Sequence, residues 1–276
     1  MAIGEREMKS DFHMHTNFST DSDSAPEQMI EGAIQKGLQT ICFTDHYDKD
    51  YPKQGDTLEF YLDTASYYQK MKDLQERYQD KIEIRIGVEL GLQPHLGEYY
   101  KNYVTQYPFD FVIGSVHVVD KCDPYYGKLF DGRSDEETYR RCFEVMLEDV
   151  KRNSDFDVLG HMDYVVRYGK AGVLGYSYRA YADIVDEILK YIIEHGKGIE
   201  FNTSGYKYGL GFGHPHPDIL KRYRELGGEI ITVGSDGHKP EHIAYDFHKV
   251  SDILRACGFE NYTEFKQRKP IFRQLP

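Results

Sequence analysis

The feature that most constrains this chain is an alternation. Seven short apolar runs, at residues 8–12, 40–43, 82–88, 109–113, 158–160, 198–201 and 229–233, are each followed by a longer segment. The runs are β-branched or otherwise apolar and are bounded by turn residues or charges, as buried strands are. The segments between them carry helical spacing. Ser24-Ala25-Pro26-Glu27 reads as a cap with proline at the first helical position, leading into Met29, Ile30, Ala33 and Ile34, with Gly37 as the stop. Further helices are expected at 58–78, 135–151, 178–195, 217–226 and 240–257, with Gly196, Gly227 and Gly258 placed to end three of them.

Strand ends recur about every 37 residues, the size of a βα unit with an added loop. Repeated β-then-α alternation without a linker or a break in composition implies a parallel sheet buried on both faces. No Gly-rich dinucleotide turn is present, so the expected fold is α/β, a seven-stranded TIM-like barrel, with residues 1–276 as a single domain. The net charge of −12 disfavours nucleic acid and anionic lipid as partners. No apolar run approaches the roughly 18 residues of a membrane span, and MAIGEREMKSDFHMH has no apolar core of a secretory signal. A cytoplasmic location is the expectation. Cys42, Cys122, Cys142 and Cys257 form neither a CxxC pair nor a disulfide framework, and Cys42 reads as a small buried residue.

The chemistry lies just after the strands. The first run is followed by His13 and His15, the second by Asp45 and His46, and the third by Glu89. Next come Ser115 and His117, His161 and Asp163, Asn202, and finally Asp236 and His238. In a parallel barrel all strand C-termini open on one face, so these residues converge on one mouth. Imidazoles and carboxylates are ligands for divalent metals. An HxH in extended chain presents both rings on one face. His214-Pro215-His216 is also an HxH, but it follows no strand and reads as a loop before a helix. His95, His195, His242 and His248 read as surface or packing histidines.

The series HMHT, TDH, Glu89 after an apolar strand, SVH, GHMD and SDGH resembles the PHP (polymerase and histidinol phosphatase) superfamily, in order and over nearly the whole chain. More narrowly, GSVHVVD, GHMDYVVRYG, EFNTSGY and ITVGSDGH look like its stand-alone histidinol-phosphatase branch. The resemblance implies a distorted seven-stranded (β/α) TIM-like barrel with a trinuclear site. His13, His15, Glu89 and Asp236 would hold one ion, Glu89 would bridge to a second held by His117 and His161, and His46, His238 and Asp21 would hold a third. Asp23 is a rival to Asp21. Zinc is the first expectation, with manganese and iron as alternatives.

The activity implied is hydrolysis of L-histidinol phosphate, a small phosphate monoester, by a metal-bridging water that loses its proton and attacks phosphorus in line. Glu89, Asp236, His238 and Arg167 would carry catalysis. Arg167 fits a bidentate phosphate clamp. Lys207 stands where the resemblance leads one to expect a second arginine, and a lysine is a point charge rather than a fork. Asn202 and Ser115 are the remaining candidates for substrate contact. Asp45 and Asp163 are expected to orient His46 and His161. A PHP-type phosphodiesterase or nuclease, a phosphatase for another small metabolite, and a metal-stabilised barrel without catalysis are the competing readings. Oligomeric state is open.

Overall fold

The computed structural model describes residues 8–53 and 59–276. Eight parallel strands make the main sheet: β1 (Ser10–Asp11), β2 (Thr40–Phe43), β3 (His46–Tyr47), β4 (Glu83–Gly91), β5 (Phe111–Ser115), β6 (Val158–Leu159), β7 (Gly198–Asn202) and β8 (Ile231–Gly234). They run in the order β1-β2-β4-β5-β6-β7-β8, with β3 pairing β4. Because β2 and β3 lie along the same neighbour, at Phe43↔Ile86 and His46↔Glu89, β3 continues β2 past a break at Thr44-Asp45. The seven expected strands are therefore all present. The ring is nearly closed: Phe12 N donates to Val233 O at 2.9 Å, and Met14 bridges Gly237.

Outside the ring pack α1 (Pro26–Lys36), α2 (Thr64–Tyr78), α3 (Gly97–Tyr103), α4 (Asp135–Arg152), α5 (Ala182–Glu194), α6 (Ser204–Lys207), α7 (Pro217–Glu225) and α8 (Val250–Ala256). Ser134 and Glu137 form a reciprocal capping box at the start of α4. Gly37, Gly196, Gly227 and Gly258 all take the positive φ that ends helices.

The start and stop of α1 are as expected, with Pro26 at the first helical position and Gly37 ending the helix, while the Ser24 hydroxyl donates to the His238 carbonyl. Three expectations need correcting. Residues 178–181 form a separate 3₁₀ turn ahead of α5. The helix expected over 240–257 is broken before α8, where Ala244 and Asp246 take positive φ and the Ala244 N–H donates to the buried Asp11 carboxylate. The expected start of α2 at Leu58 lies outside the described residues, and the helix itself begins at Thr64, capped by Asp63.

The barrel interior has two halves. Phe12, Cys42, Phe111, Ile113 and Val158 fill the lower half, with Phe265 among them. Phe265 belongs to a C-terminal hairpin, β9 (Asn261–Lys266) and β10 (Lys269–Gln274), which the sequence reading missed. It stacks on Phe111 at 5.1 Å, while Arg268 pairs with Asp157 at 2.6 Å, so the hairpin plugs the N-terminal end. The alternation that sends Phe111 and Ile113 inward also brings Ser115 in at the top, where the interior turns polar. Apolar filling below and ionisable groups above leave the C-terminal mouth as the place for chemistry.

Candidate metal centre

Glu89 stands at the centre of the mouth, fully buried near the end of β4. Its Oε2 lies 3.1 Å from His13 Nε2, 3.5 Å from His15 Nε2 and 3.0 Å from His46 Nδ1. Its Oε1 lies 2.9 Å from His161 Nε2 and 3.3 Å from His117 Nε2. One carboxylate thus faces five imidazoles, divided between its two oxygens. Asp236 Oδ1 approaches His15 Nε2 at 3.4 Å and His238 Nδ1 at 3.5 Å. Asp21 Oδ2 lies 3.0 Å from His238 Nε2 and 3.6 Å from His46 Nε2. Asp21, rather than Asp23, is the carboxylate the structure sets against these two rings.

Local structure fixes each group. Asp236 follows β8 with φ of 53°, a conformation that aspartate tolerates better than most residues, and its N–H donates to His13 O at 2.9 Å. Gly234 leaves room beneath: a Cβ there would sit 2.3 Å from the His13 Cβ and 2.4 Å from Glu200 Oε1. The hydroxyls of Ser22 and Ser24 both donate to His238 O and so tie the first loop to the last.

Two orienting carboxylates escaped the sequence reading. Glu200 Oε1 lies 2.6 Å from His13 Nδ1, and Oε2 accepts from the His161 N–H at 3.1 Å. Asp48 Oδ2 lies 2.7 Å from His117 Nδ1. Each turns the Nε2 of its histidine toward the centre. The signal for both was alternation: Glu200 shares a strand face with Asn202, and Asp48 stands two residues beyond His46.

The expected roles of Asp45 and Asp163 are corrected. Asp45 accepts from Thr16 and Ser19 and so holds the loop carrying His13 and His15. Asp163 holds His214 Nδ1 at 2.7 Å and accepts from the His216 N–H at 2.8 Å. His214 is therefore buried and paired, as a loop anchor. Asn202 and Ser115 also differ from expectation. The Asn202 amide donates to Glu200 and its oxygen accepts from Ser204 N, while Ser115 Oγ donates to Glu89 Oε1 at 2.6 Å. Both are buried and engaged with protein, which makes them supports for the site rather than substrate contacts.

The basic groups sit beside this cluster. Arg167, in the 3₁₀ turn Tyr164–Tyr168, donates from Nη2 to Ser204 Oγ at 3.0 Å and lies 3.8 Å over the Tyr208 ring. Its Nε is buried without a partner. Lys207 Nζ donates to the Asp236 carbonyl at 3.1 Å, and burial lowers its pKa against the pull of Asp236.

The electrostatics favour cations. Burial disfavours the charged form of His13, yet Glu200, Glu89 and Asp236 overcome it and hold the pKa well above the usual value. Burial is likewise outweighed at His46 by Glu89 and Asp21, and at His117, which is pushed up to about 10 by Asp48 and Glu89. His15 goes the other way, lowered by burial and by the neighbouring His46 and His238. Burial opposes ionisation of Glu89 and Asp236, but the surrounding imidazoles hold both well below the carboxylate range.

A divalent ion satisfies the same demand as those protons. Ligand atoms of His13, His15 and Asp236 lie within 4.8 Å of one another, as do those of His13, Glu89 and His161, of His15, His46 and His238, and of His46, Asp48 and His117. Asp48 Oδ1 is buried without a hydrogen-bond partner, which fits a group aimed at a cation.

These observations define a parallel (β/α) barrel with a polynuclear cation site at its C-terminal mouth. The PHP domain model matches residues 11–204, and the chain belongs to that family. It is 32% identical over 267 residues to a histidinol-phosphatase of Lactococcus lactis subsp. lactis, covering 95% of this chain and 96% of that protein. A probable histidinol-phosphatase of Clostridium acetobutylicum is 32% identical over 265 residues, covering 96% of each chain. The fold is similar, with a TM-score of 0.87 and 31% identity, to the crystal structure of the histidinol phosphate phosphatase of Lactococcus lactis complexed with zinc, L-histidinol and phosphate. That likeness covers 95% of this chain and 98% of the other.

Proposed function

We propose that this chain is a metal-dependent phosphomonoesterase that hydrolyses L-histidinol phosphate to L-histidinol and phosphate. The observation that carries the reading is the Glu89 carboxylate, with three imidazoles facing one oxygen and two the other. His13, His15, Glu89 and Asp236 would hold one divalent ion, Glu89, His117 and His161 a second, and Asp21, His46 and His238 a third. Zinc fits this donor set, as do manganese and iron. Such ions supply Lewis-acid charge and a nucleophilic water at neutral pH.

The protein's own groups do the rest. Arg167, with Nε unsatisfied beside the cluster, binds two phosphoryl oxygens and stabilises the charge that grows on them. Lys207 adds a point charge on the Asp236 side. Glu200 and Asp48 keep the His13 and His117 rings turned inward, and Ser115 holds one Glu89 oxygen in place. The whole chain acts as one domain on a small molecule in the cytoplasm, with neither nucleic acid nor membrane as partner. Among the described residues no helix is long and apolar enough to cross a membrane.

The test is phosphate release from L-histidinol phosphate by protein loaded in turn with zinc, manganese or iron, alongside p-nitrophenyl phosphate and bis-p-nitrophenyl phosphate. Turnover of the monoesters with a clear preference for L-histidinol phosphate is expected. Preference for the diester would replace this reading with the phosphodiesterase one, and inactivity of fully loaded protein on all three would leave a non-catalytic barrel.

A further inference from the structure

Beside the metal cluster lies a carboxylate that none of the roles above uses. Asp123 sits on the loop after β5, partly buried at the mouth. Its Oδ2 accepts from the Tyr51 hydroxyl at 2.5 Å and its Oδ1 from the Tyr125 N–H at 2.7 Å. No salt bridge links it to a lysine or arginine among the described residues.

Three observations place it next to the reacting centre. Tyr51 packs edge-on against Phe60 at 5.0 Å, and Phe60 packs against His46 at 5.3 Å. The Tyr164 ring lies 5.0 Å from His161 and 6.2 Å from His117, and Tyr168 packs edge-on against both Tyr164 at 5.9 Å and Tyr125, whose N–H Asp123 holds, at 6.2 Å. The Tyr164 hydroxyl is itself buried with no hydrogen-bond partner, so a polar atom on this wall still wants a ligand. Aromatic walls around one carboxylate are what a cationic organic group needs, since ring faces and the carboxylate both attract it.

We infer that Asp123, anchored by Tyr51 and walled by Tyr164 and Tyr168, binds the cationic amino-imidazole end of the substrate and selects it over uncharged phosphate esters. The inference rests on the phosphomonoesterase reading above and deepens it. A cluster of divalent ions repels a cationic leaving group. A carboxylate at the mouth offsets that repulsion where the leaving group must sit. Selectivity for a charged end is also what a partly buried carboxylate enforces well, because an uncharged substrate leaves its charge without a counter-charge.

The experiment compares wild type with Asp123→Asn, which keeps an oxygen for the Tyr125 N–H. Both are metal-loaded, and metal content and melting temperature are measured on the same samples. The ratio of kcat/KM for L-histidinol phosphate to that for p-nitrophenyl phosphate should fall about 10- to 100-fold, as for loss of a hydrogen bond to a charged group, mostly through KM. Tyr51→Phe, which leaves the charge but frees the carboxylate, should move the ratio the same way by a smaller factor. If both rates fall together, or neither changes, Asp123 is a loop anchor and the inference is overturned. Wild type that turns over p-nitrophenyl phosphate but not L-histidinol phosphate would overturn the substrate reading itself, and this inference with it.

Discussion

Glu89→Gln is the most informative single change at the metal centre. It preserves shape but removes one negative charge, and it replaces one oxygen by an NH₂ that must point at His13, His15 and His46 or at His117 and His161. At an effective dielectric of about 20, one unit of charge about 4 Å from a single positive charge is worth ~4 kcal/mol. That is about 1000-fold in affinity, and a divalent ion doubles the charge involved. Because the two oxygens face different imidazole groups, two ions should weaken rather than one. Elemental analysis after dialysis against a weak chelator should show at least one ion lost per chain, with kcat/KM reduced by ~1000-fold or more. Full metal content together with kcat/KM within threefold of wild type would refute the reasoning, because it would mean that no ion leans on this carboxylate.

Arg167→Ala should lower kcat/KM about 30- to 1000-fold, a cost of ~2–4 kcal/mol, with metal content intact, and Arg167→Lys should recover only part of it; steady-state kinetics with elemental analysis on the same samples checks this. Glu200→Gln keeps a partner for the His13 ring but weakens its hold, and about 10- to 100-fold loss in metal affinity is expected by competition with a chromogenic chelator. Asp149 offers a test away from the site: it is buried in α4 with neither oxygen paired, and burial pushes its pKa up to about 8. A raised carboxylate pKa means that the unfolded chain releases the proton first, so this group costs nothing below about pH 4, and its penalty grows as pH rises to about 8. Asp149→Asn should therefore match wild type in melting temperature near pH 3–4 and exceed it increasingly up to pH 8, by on the order of a few kcal/mol in stability; a pH-independent difference would contradict the assignment.

How far the sequence could be read follows from what each signal depends on. The strands were legible because parallel strands buried on both faces need continuous apolar runs, and the runs 40–43 and 198–201 match β2 and most of β7. The metal-site residues stood out because they follow those runs directly, and a parallel barrel must bring such positions together. Roles assigned by adjacency failed. Asp45 precedes His46 and so lies on the opposite side of the extended chain, where it holds Thr16 and Ser19, while Asp48, two residues beyond His46, shares the side of the site. The hairpin β9–β10 was missed because it has no continuous apolar run: polar Thr263 and Glu264 are buried between Tyr262 and Phe265.

By itself, the sequence determined the alternation, the parallel barrel and the set of imidazoles and carboxylates at its mouth, since these depend on local periodicity and on one topological rule. Tertiary structure alone decided which atoms face which. The pairing of Glu200 with His13 spans 187 residues, and that of Asp48 with His117 spans 69. That Asp21 rather than Asp23 faces His238 follows from the placement of a ring far along the chain. The physical reason is that an orienting hydrogen bond needs a separation of about 3 Å and a set direction. Strand register and loop closure set both, and neither is written in the spacing of residues along the chain.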